Sequence, residues 1–170
     1  HGLHQLEELV RLDEVGHPGG FGAVLVVDHD QRQAAVLVAG EPRLVCDTRE
    51  LGREGVSYTI DSLVELRREL GEGHSLCLVM GCDAVLGITS WHRWQELLDW
   101  AHVVVIARPG WQLPVAGPVA DWLRQHRLSD RRRLQERPNG GTLIEDLRPL
   151  AISSTEIRRL LAAGRSPRYL

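Results

Sequence analysis

Three short stretches of the chain are almost wholly apolar and rich in β-branched side chains. They are residues 23–27 (Ala-Val-Leu-Val-Val), 75–80 (Ser-Leu-Cys-Leu-Val-Met) and 103–107 (Val-Val-Val-Ile-Ala). Such runs read as strands buried on both faces, the pattern of a parallel sheet covered on each side. Residues 43–46 and 142–144 are shorter candidates of the same kind. Between the strands lie helical patterns. The strongest covers residues 60–70, where Leu63, Leu66 and Leu70 share one side and Ser57 or Thr59 is placed to cap the start. Further helices are expected from Ala84, over 91–100 and over 119–128. Residues 1–12 also read as a helix, because Leu3, Leu6, Leu9 and Val10 recur at three- and four-residue spacing. Residues 31–39 read as a helix stopped by Gly40 and Pro42. Strands alternating with helices predict an α/β fold, a doubly wound parallel sheet with helices on both faces.

One domain accounts for the whole chain of 170 residues, and no internal repeat competes with that reading. The net charge of −3 gives no global basic field of the kind that draws nucleic acid. Arg124, Arg127, Arg131, Arg132, Arg133 and Arg137 do cluster, but acidic residues lie among them, and a solvated face is the simpler reading. No run approaches the length of a membrane span, and no basic-then-apolar leader opens the chain. Three cysteines, Cys46, Cys77 and Cys82, are too widely spaced for a Cys-x-x-Cys pair. They fit reduced, partly buried thiols in a cytoplasmic protein. The scattered histidines offer no metal-ligand spacing, and no bound metal is expected from them.

In a doubly wound sheet, ligands bind beyond the C-terminal ends of the strands. That rule gathers four segments into one candidate site: Asp47-Thr48-Arg49-Glu50, Gly81-Cys82-Asp83, Arg108-Pro109-Gly110 and Ile152-Ser153-Ser154-Thr155. Gly81 lets a ligand approach the backbone, and Asp83 can accept from sugar hydroxyls. Both are also common turn formers. Ser57-Tyr58-Thr59 offers amides and hydroxyls at a helix start, where simple capping is the alternative. Trp91 can stack on a planar ring or join the core, whereas Trp94 shares spacing with Leu97 and Leu98 and reads as core. Arg108 precedes Pro-Gly on a rigid turn and can serve a phosphate or a structural carboxylate. Ser153 and Glu156 have the spacing of a capping box on a helix running to about Ala163. Its free amides, hydroxyls and arginines suit a phosphate, although an ordinary capped helix would look the same.

Taken together, these segments resemble bacterial nicotinate mononucleotide adenylyltransferase, of the nucleotidyltransferase superfamily with a Rossmann-like fold. The matching residues are Asp47-Thr48-Arg49-Glu50-Leu51, Ser57 to Leu63, Gly81-Cys82-Asp83-Ala84, Trp91-His92-Arg93-Trp94, Arg108-Pro109-Gly110 and Ile152 to Arg158, with Gly164 to Leu170 trailing. The resemblance implies transfer of AMP from ATP to nicotinate mononucleotide, giving deamido-NAD and pyrophosphate, with Mg²⁺ accompanying the ATP. It implies that Trp91 stacks on the pyridine ring, and that Ser57, Tyr58, Thr59 and the backbone at His92 surround the nicotinate carboxylate. Gly81 and Asp83 would contact nucleotide sugar. Ser153, Ser154, Thr155 and Arg158 would hold the ATP phosphates, with Arg108 near the adenylate. The implied partners are the two substrates, with neither nucleic acid nor membrane, and a homo-oligomer is compatible with it.

The first part of the chain departs from the family pattern of a strand, Gly-Gly-x-Phe-x-Pro and then His-x-Gly-His at a helix start. Here the chain opens His1-Gly2-Leu3-His4, and Gly19-Gly20-Phe21 precedes a strand. His1 and His4 are the candidates for the catalytic histidines, with residues 5–12 as the helix that follows them. On this reading the domain lacks an N-terminal strand and the final helix. Two other readings stay open: a nucleotide-binding relative without catalysis, and a sister adenylyltransferase with another acceptor such as phosphopantetheine.

Overall fold

The computed structural model describes residues 8–12, 23–28, 44–146, 159 and 162–164. Six strands form one sheet in the order β3-β1-β2-β4-β5-β6. They are β1 (Glu8–Leu12), β2 (Ala23–Asp28), β3 (Leu44–Asp47), β4 (Leu76–Gly81), β5 (His102–Ala107) and β6 (Thr142–Asp146). The helices are α1 (Thr59–Leu70), α2 (Cys82–Leu86), α3 (Leu97–Trp100) and α4 (Pro118–Gln125).

The run β2-β4-β5-β6 is parallel throughout, as the apolar patterning predicted. Successive side chains of β4 and β5 go to opposite faces, and both faces are covered. Leu76, Leu78 and Met80 with Val103 and Val105 meet Ile60, Leu63 and Leu66 of α1, Val85 of α2, Leu97 and Leu98 of α3, and Val119, Trp122 and Leu123 of α4. On the reverse face, Cys77, Val104 and Leu143 meet Leu134 and Leu128. Two buried faces explain why these strands lack polar alternation. Leu63 and Leu123 are fully buried, and truncating either to alanine would cost about 2–5 kcal/mol.

Two expectations need correction. Residues 8–12 form a strand, although the spacing of Leu3, Leu6, Leu9 and Val10 predicted a helix over 1–12. The sheet is therefore mixed, because β1 runs antiparallel to both neighbours, with Glu8 opposite Asp28 and Leu9 opposite Asp47. Helical spacing over one short segment is a weak preference. Ladder bonding on both edges of β1 satisfies the backbone of this segment through distant parts of the chain. The predicted helix over 31–39 lies outside the described residues.

At the opposite end of the sheet, where β4, β5 and β6 begin, Arg67 of α1 ties the connections together. Its guanidinium donates to the carbonyls of Trp100 (2.7 and 3.2 Å), Gly71 (3.2 Å), His74 (2.6 Å) and Pro138 (2.9 Å). Burial pulls its pKa below the ordinary arginine value. His102, the buried first residue of β5, fixes the next turn: Gly141 N–H donates to its Nδ1 (3.0 Å), so Nε2 carries the proton and donates to the Arg137 carbonyl (2.9 Å). A Cβ at Gly141 would fall 2.6 Å from the Leu128 side chain, which would have to shift to admit any other residue. Among the described residues no helix is long and apolar enough to cross a membrane.

Candidate functional site

Parallel register places the ends of β2, β4, β5 and β6 on one edge of the sheet. Because β1 is antiparallel to both β2 and β3, β3 also ends on that edge. The segments after β3, β4 and β5 thus leave side by side, as the topology of α/β binding sites requires.

Gly81 closes β4 and precedes α2 in an ordinary extended conformation (φ −71°, ψ 156°). It is exposed, and a Cβ added there would meet nothing within 4 Å. Neither backbone geometry nor packing in the free protein demands glycine. Asp83, in the first turn of α2, reaches Arg108 on the turn after β5, with Arg108 Nη1 2.8 Å from Asp83 Oδ2. Two residues chosen separately from the sequence therefore meet across adjacent strand ends. Asp83 and Arg108 remain 65% and 77% exposed, so the pair is a weak, water-screened contact that a ligand can rearrange.

The second half of the site begins at α1, whose start lies on the same edge because the helix runs from β3 towards the start of β4. The expected cap by Ser57 or Thr59 is not the one found. Tyr58 holds the N-cap position in extended conformation, and no side chain caps it. Ser57 is buried, and its hydroxyl donates instead to the Glu50 carbonyl (3.4 Å). Thr59 is the buried first residue of the helix. A 12-residue helix with no side-chain cap presents amides and a positive dipole end.

The Tyr58 ring lies against the His92 ring, centroids 4.3 Å apart and tilted by 34°. This contact brings the segment after α2 to the start of α1. The helix expected over 91–100 begins later. Arg93 adopts a left-handed conformation (φ 53°), a 3-10 turn follows at Trp94–Glu96, and α3 starts at Leu97. Arg93 donates from Nε to Glu96 (2.9 Å) in an exposed pair, which accompanies that irregular backbone. Trp91 and His92 consequently sit on a turn. Trp91 is half-buried against the main apolar cluster. Trp94, expected in the core, is half-buried like Trp91; it packs against the same apolar cluster and meets Trp122 edge-on at 5.7 Å.

Beneath this edge lies a polar frame that the sequence did not reveal as one. Arg49 is clamped by Asp47 (2.6 Å), Glu69 (3.1 Å) and Glu65 (3.6 Å). Ser62 donates to buried Glu50 (2.5 Å) and accepts from Arg53 (2.9 Å), which also pairs with Glu65 (2.9 Å). Burial raises the Glu50 pKa, while Ser62 and Arg53 oppose the shift. Asp47-Thr48-Arg49-Glu50 is thus a brace for α1. The signal available in the sequence was the polar stripe Ser62, Glu65 and Glu69 at helical spacing.

His1, His4, Ser153, Ser154, Thr155 and Arg158 lie outside the described residues. The strand at 8–12 replaces the helix expected to follow His4. Arg159 and Ala162 are helical, Ala163 N–H donates to the Arg159 carbonyl (3.1 Å), and Gly164 turns left-handed (φ 69°), so a helix ends where predicted.

Residues 24–160 match the model of the family described as cytidylyltransferase-like. The chain is 48% identical over 143 residues to a protein of Aeromonas salmonicida, covering 83% of this chain and 66% of that protein. It is 46% identical over 156 residues to one of Marinobacter nauticus, covering 91% and 70%. A protein of Halorhodospira halophila is 47% identical over 133 residues, with 78% and 61% covered. All three are named probable nicotinate-nucleotide adenylyltransferase, and the aligned part of this chain spans about two thirds of their length. Matched over most of its length at these identities, this chain belongs to the cytidylyltransferase-like family, among the nicotinate-nucleotide adenylyltransferases.

Proposed function

We propose that the chain carries the site that transfers AMP from ATP to nicotinate mononucleotide, releasing deamido-NAD and pyrophosphate. The observation that carries this reading is the meeting of Asp83 with Arg108 on the sheet edge where the uncapped start of α1 also opens. In this reading the pyridine ring stacks on Trp91. Its carboxylate lies at the start of α1, near Ser57, Tyr58, Thr59 and the backbone of His92. Gly81 and Asp83 receive nucleotide sugar, and Arg108 lies by the adenylate. Ser153, Ser154, Thr155 and Arg158 hold the phosphates, and His1 and His4 face them.

The attacking phosphate of the mononucleotide is already a nucleophile, so no general base is needed. Catalysis then rests on holding two anions in line and neutralising charge at the α-phosphorus. Among the described residues no three metal-ligating side chains converge. In this proposal a divalent ion, Mg²⁺, accompanies the nucleotide phosphates, where it would neutralise the leaving pyrophosphate. A cytoplasmic setting is part of the same proposal.

The test is pyrophosphate release from ATP with nicotinate mononucleotide, compared with nicotinamide mononucleotide and phosphopantetheine. Release that depends on the nicotinate form supports the proposal, and preference for another acceptor replaces the substrate assignment. A non-catalytic nucleotide-binding role is favoured by one observation, the strand where a helix should follow His4. Calorimetric binding of both nucleotides without pyrophosphate release would establish that reading.

A further inference from the structure

A second concave surface lies at the other end of the sheet. Residues 126–128 run beside the start of β6: Leu128 N–H donates to the Thr142 carbonyl and Thr142 N–H to the His126 carbonyl, both at 2.8 Å. Arg127 pairs with Thr142 as a parallel bridge. Thr142 opens β6, whose far end Asp146 lies on the candidate-site edge, so roughly 13 Å of strand separates the two places. Against this added segment the chain forms a hollow of about 390 Å³ lined by Arg127, Leu128, Ser129, Arg133, Glu136 and Arg137.

Three arginines and one glutamate belong to that lining, which leaves two positive charges in excess. Glu136 is taken by Arg133 (2.8 Å). Arg137 donates only to a neutral carbonyl, that of Gly140 (3.1 Å). Among the described residues Arg127 has no carboxylate partner, and it is exposed. The backbone that carries these side chains is fixed. Buried Leu134 anchors the 3-10 turn Arg131–Gln135, Asp130 caps that turn by accepting from Arg132 N–H (2.8 Å), and His102 holds the Arg137 carbonyl. Like charges held together on a rigid concave frame repel one another, and an anion seated among them relieves that repulsion.

We propose that this hollow binds a small polyphosphate-bearing metabolite at a site distinct from the nucleotide-transfer edge. Guanidinium forks match phosphate oxygens in paired hydrogen bonds. Leu128 supplies an apolar wall and Ser129 a hydroxyl. The volume is that of a small-ligand site.

The probe is inorganic tripolyphosphate, titrated calorimetrically into the full chain saturated with a non-reacting α,β-methylene analogue of ATP and nicotinate mononucleotide, which together fill the transfer edge including its phosphate subsite. Arg127→Gln should weaken binding roughly tenfold or more, Arg127→Lys should recover part of it, and pyrophosphate release at saturating substrates should stay unchanged. Arg68→Gln, which removes an exposed arginine of α1, controls for net charge and should leave binding unaltered. Equal binding by Arg127→Gln and the parent chain, or equal weakening by Arg68→Gln, overturns the site.

Discussion

Arg108, on the turn after β5, holds its guanidinium 2.8 Å from the carboxylate of Asp83, at the head of α2. The contact joins the ends of two neighbouring parallel strands, and both partners stay in water. A pair so exposed contributes little to folding, so its position on the candidate-site edge matters more than its energy. Asp83→Asn and Arg108→Gln are each expected to change unfolding free energy by less than about 0.5–1 kcal/mol. Each should nevertheless raise KM for a nucleotide substrate roughly tenfold or more, through loss of a charged hydrogen bond. Urea denaturation beside steady-state kinetics separates the two effects. A large loss of stability with unchanged KM would make the pair a structural clasp.

Gly81 gives a complementary prediction of opposite sign in space. The free protein leaves room for a Cβ, and the backbone at φ −71° is open to any residue. Gly81→Ala should therefore fold as well as the parent, or gain about 0.4–1 kcal/mol from a less flexible unfolded chain. If the ligand approaches this backbone, the added methyl group obstructs it and KM rises while the melting temperature does not fall. Unchanged KM would remove Gly81 from the binding surface.

How far the sequence could be read follows from what kind of interaction placed each residue. β4 and β5 were legible because two covered faces demand apolar residues at nearly every position, and the strand order then fixed which segments share an edge. Residues 8–12 were not legible, because β1 is selected by ladder bonding to β2 and β3 and its own spacing suits a helix. Tyr58 as N-cap was hidden by two flanking hydroxyl residues, which are better cappers but are drawn into buried positions. Arg67 and His102 act on carbonyls far away in sequence, and no local pattern announces such a partner. The Ser153 to Arg158 phosphate motif lies outside the described residues, and its assignment still rests on resemblance.

Arg67 should be among the most costly positions to change. Its guanidinium satisfies the carbonyls of Gly71, His74, Trp100 and Pro138 at once, and most of the side chain is buried. Arg67→Met keeps the apolar stem but leaves those carbonyls without this donor, which should cost on the order of 3 kcal/mol or more. Arg67→Lys should recover little, because one ammonium cannot span acceptors on three connections. Chemical denaturation measures the loss. Since Arg67 lies at the end of the sheet away from Asp83 and Arg108, KM of the folded variant should stay near that of the parent.

His102 makes stability depend on pH with a definite sign. Burial lowers its pKa below the ordinary 6.5, outweighing the hydrogen bond to the Arg137 carbonyl, which favours the protonated ring. Above pH 6.5 the imidazole is neutral in both folded and unfolded chains, and its contribution is fully present. As pH falls through 6.5, the unfolded chain takes up a proton that the folded chain resists, so folding loses stability, by at most about 1.4 kcal/mol per pH unit from this group. Its geometry gives the same sign, since Nδ1 accepts from Gly141 N–H and cannot do so once protonated. His102→Gln should be less stable than the parent at pH 8, and the gap should narrow towards pH 5. Urea midpoints measured across that range decide the point. Parallel pH profiles for parent and variant would show that another group governs the acid limb.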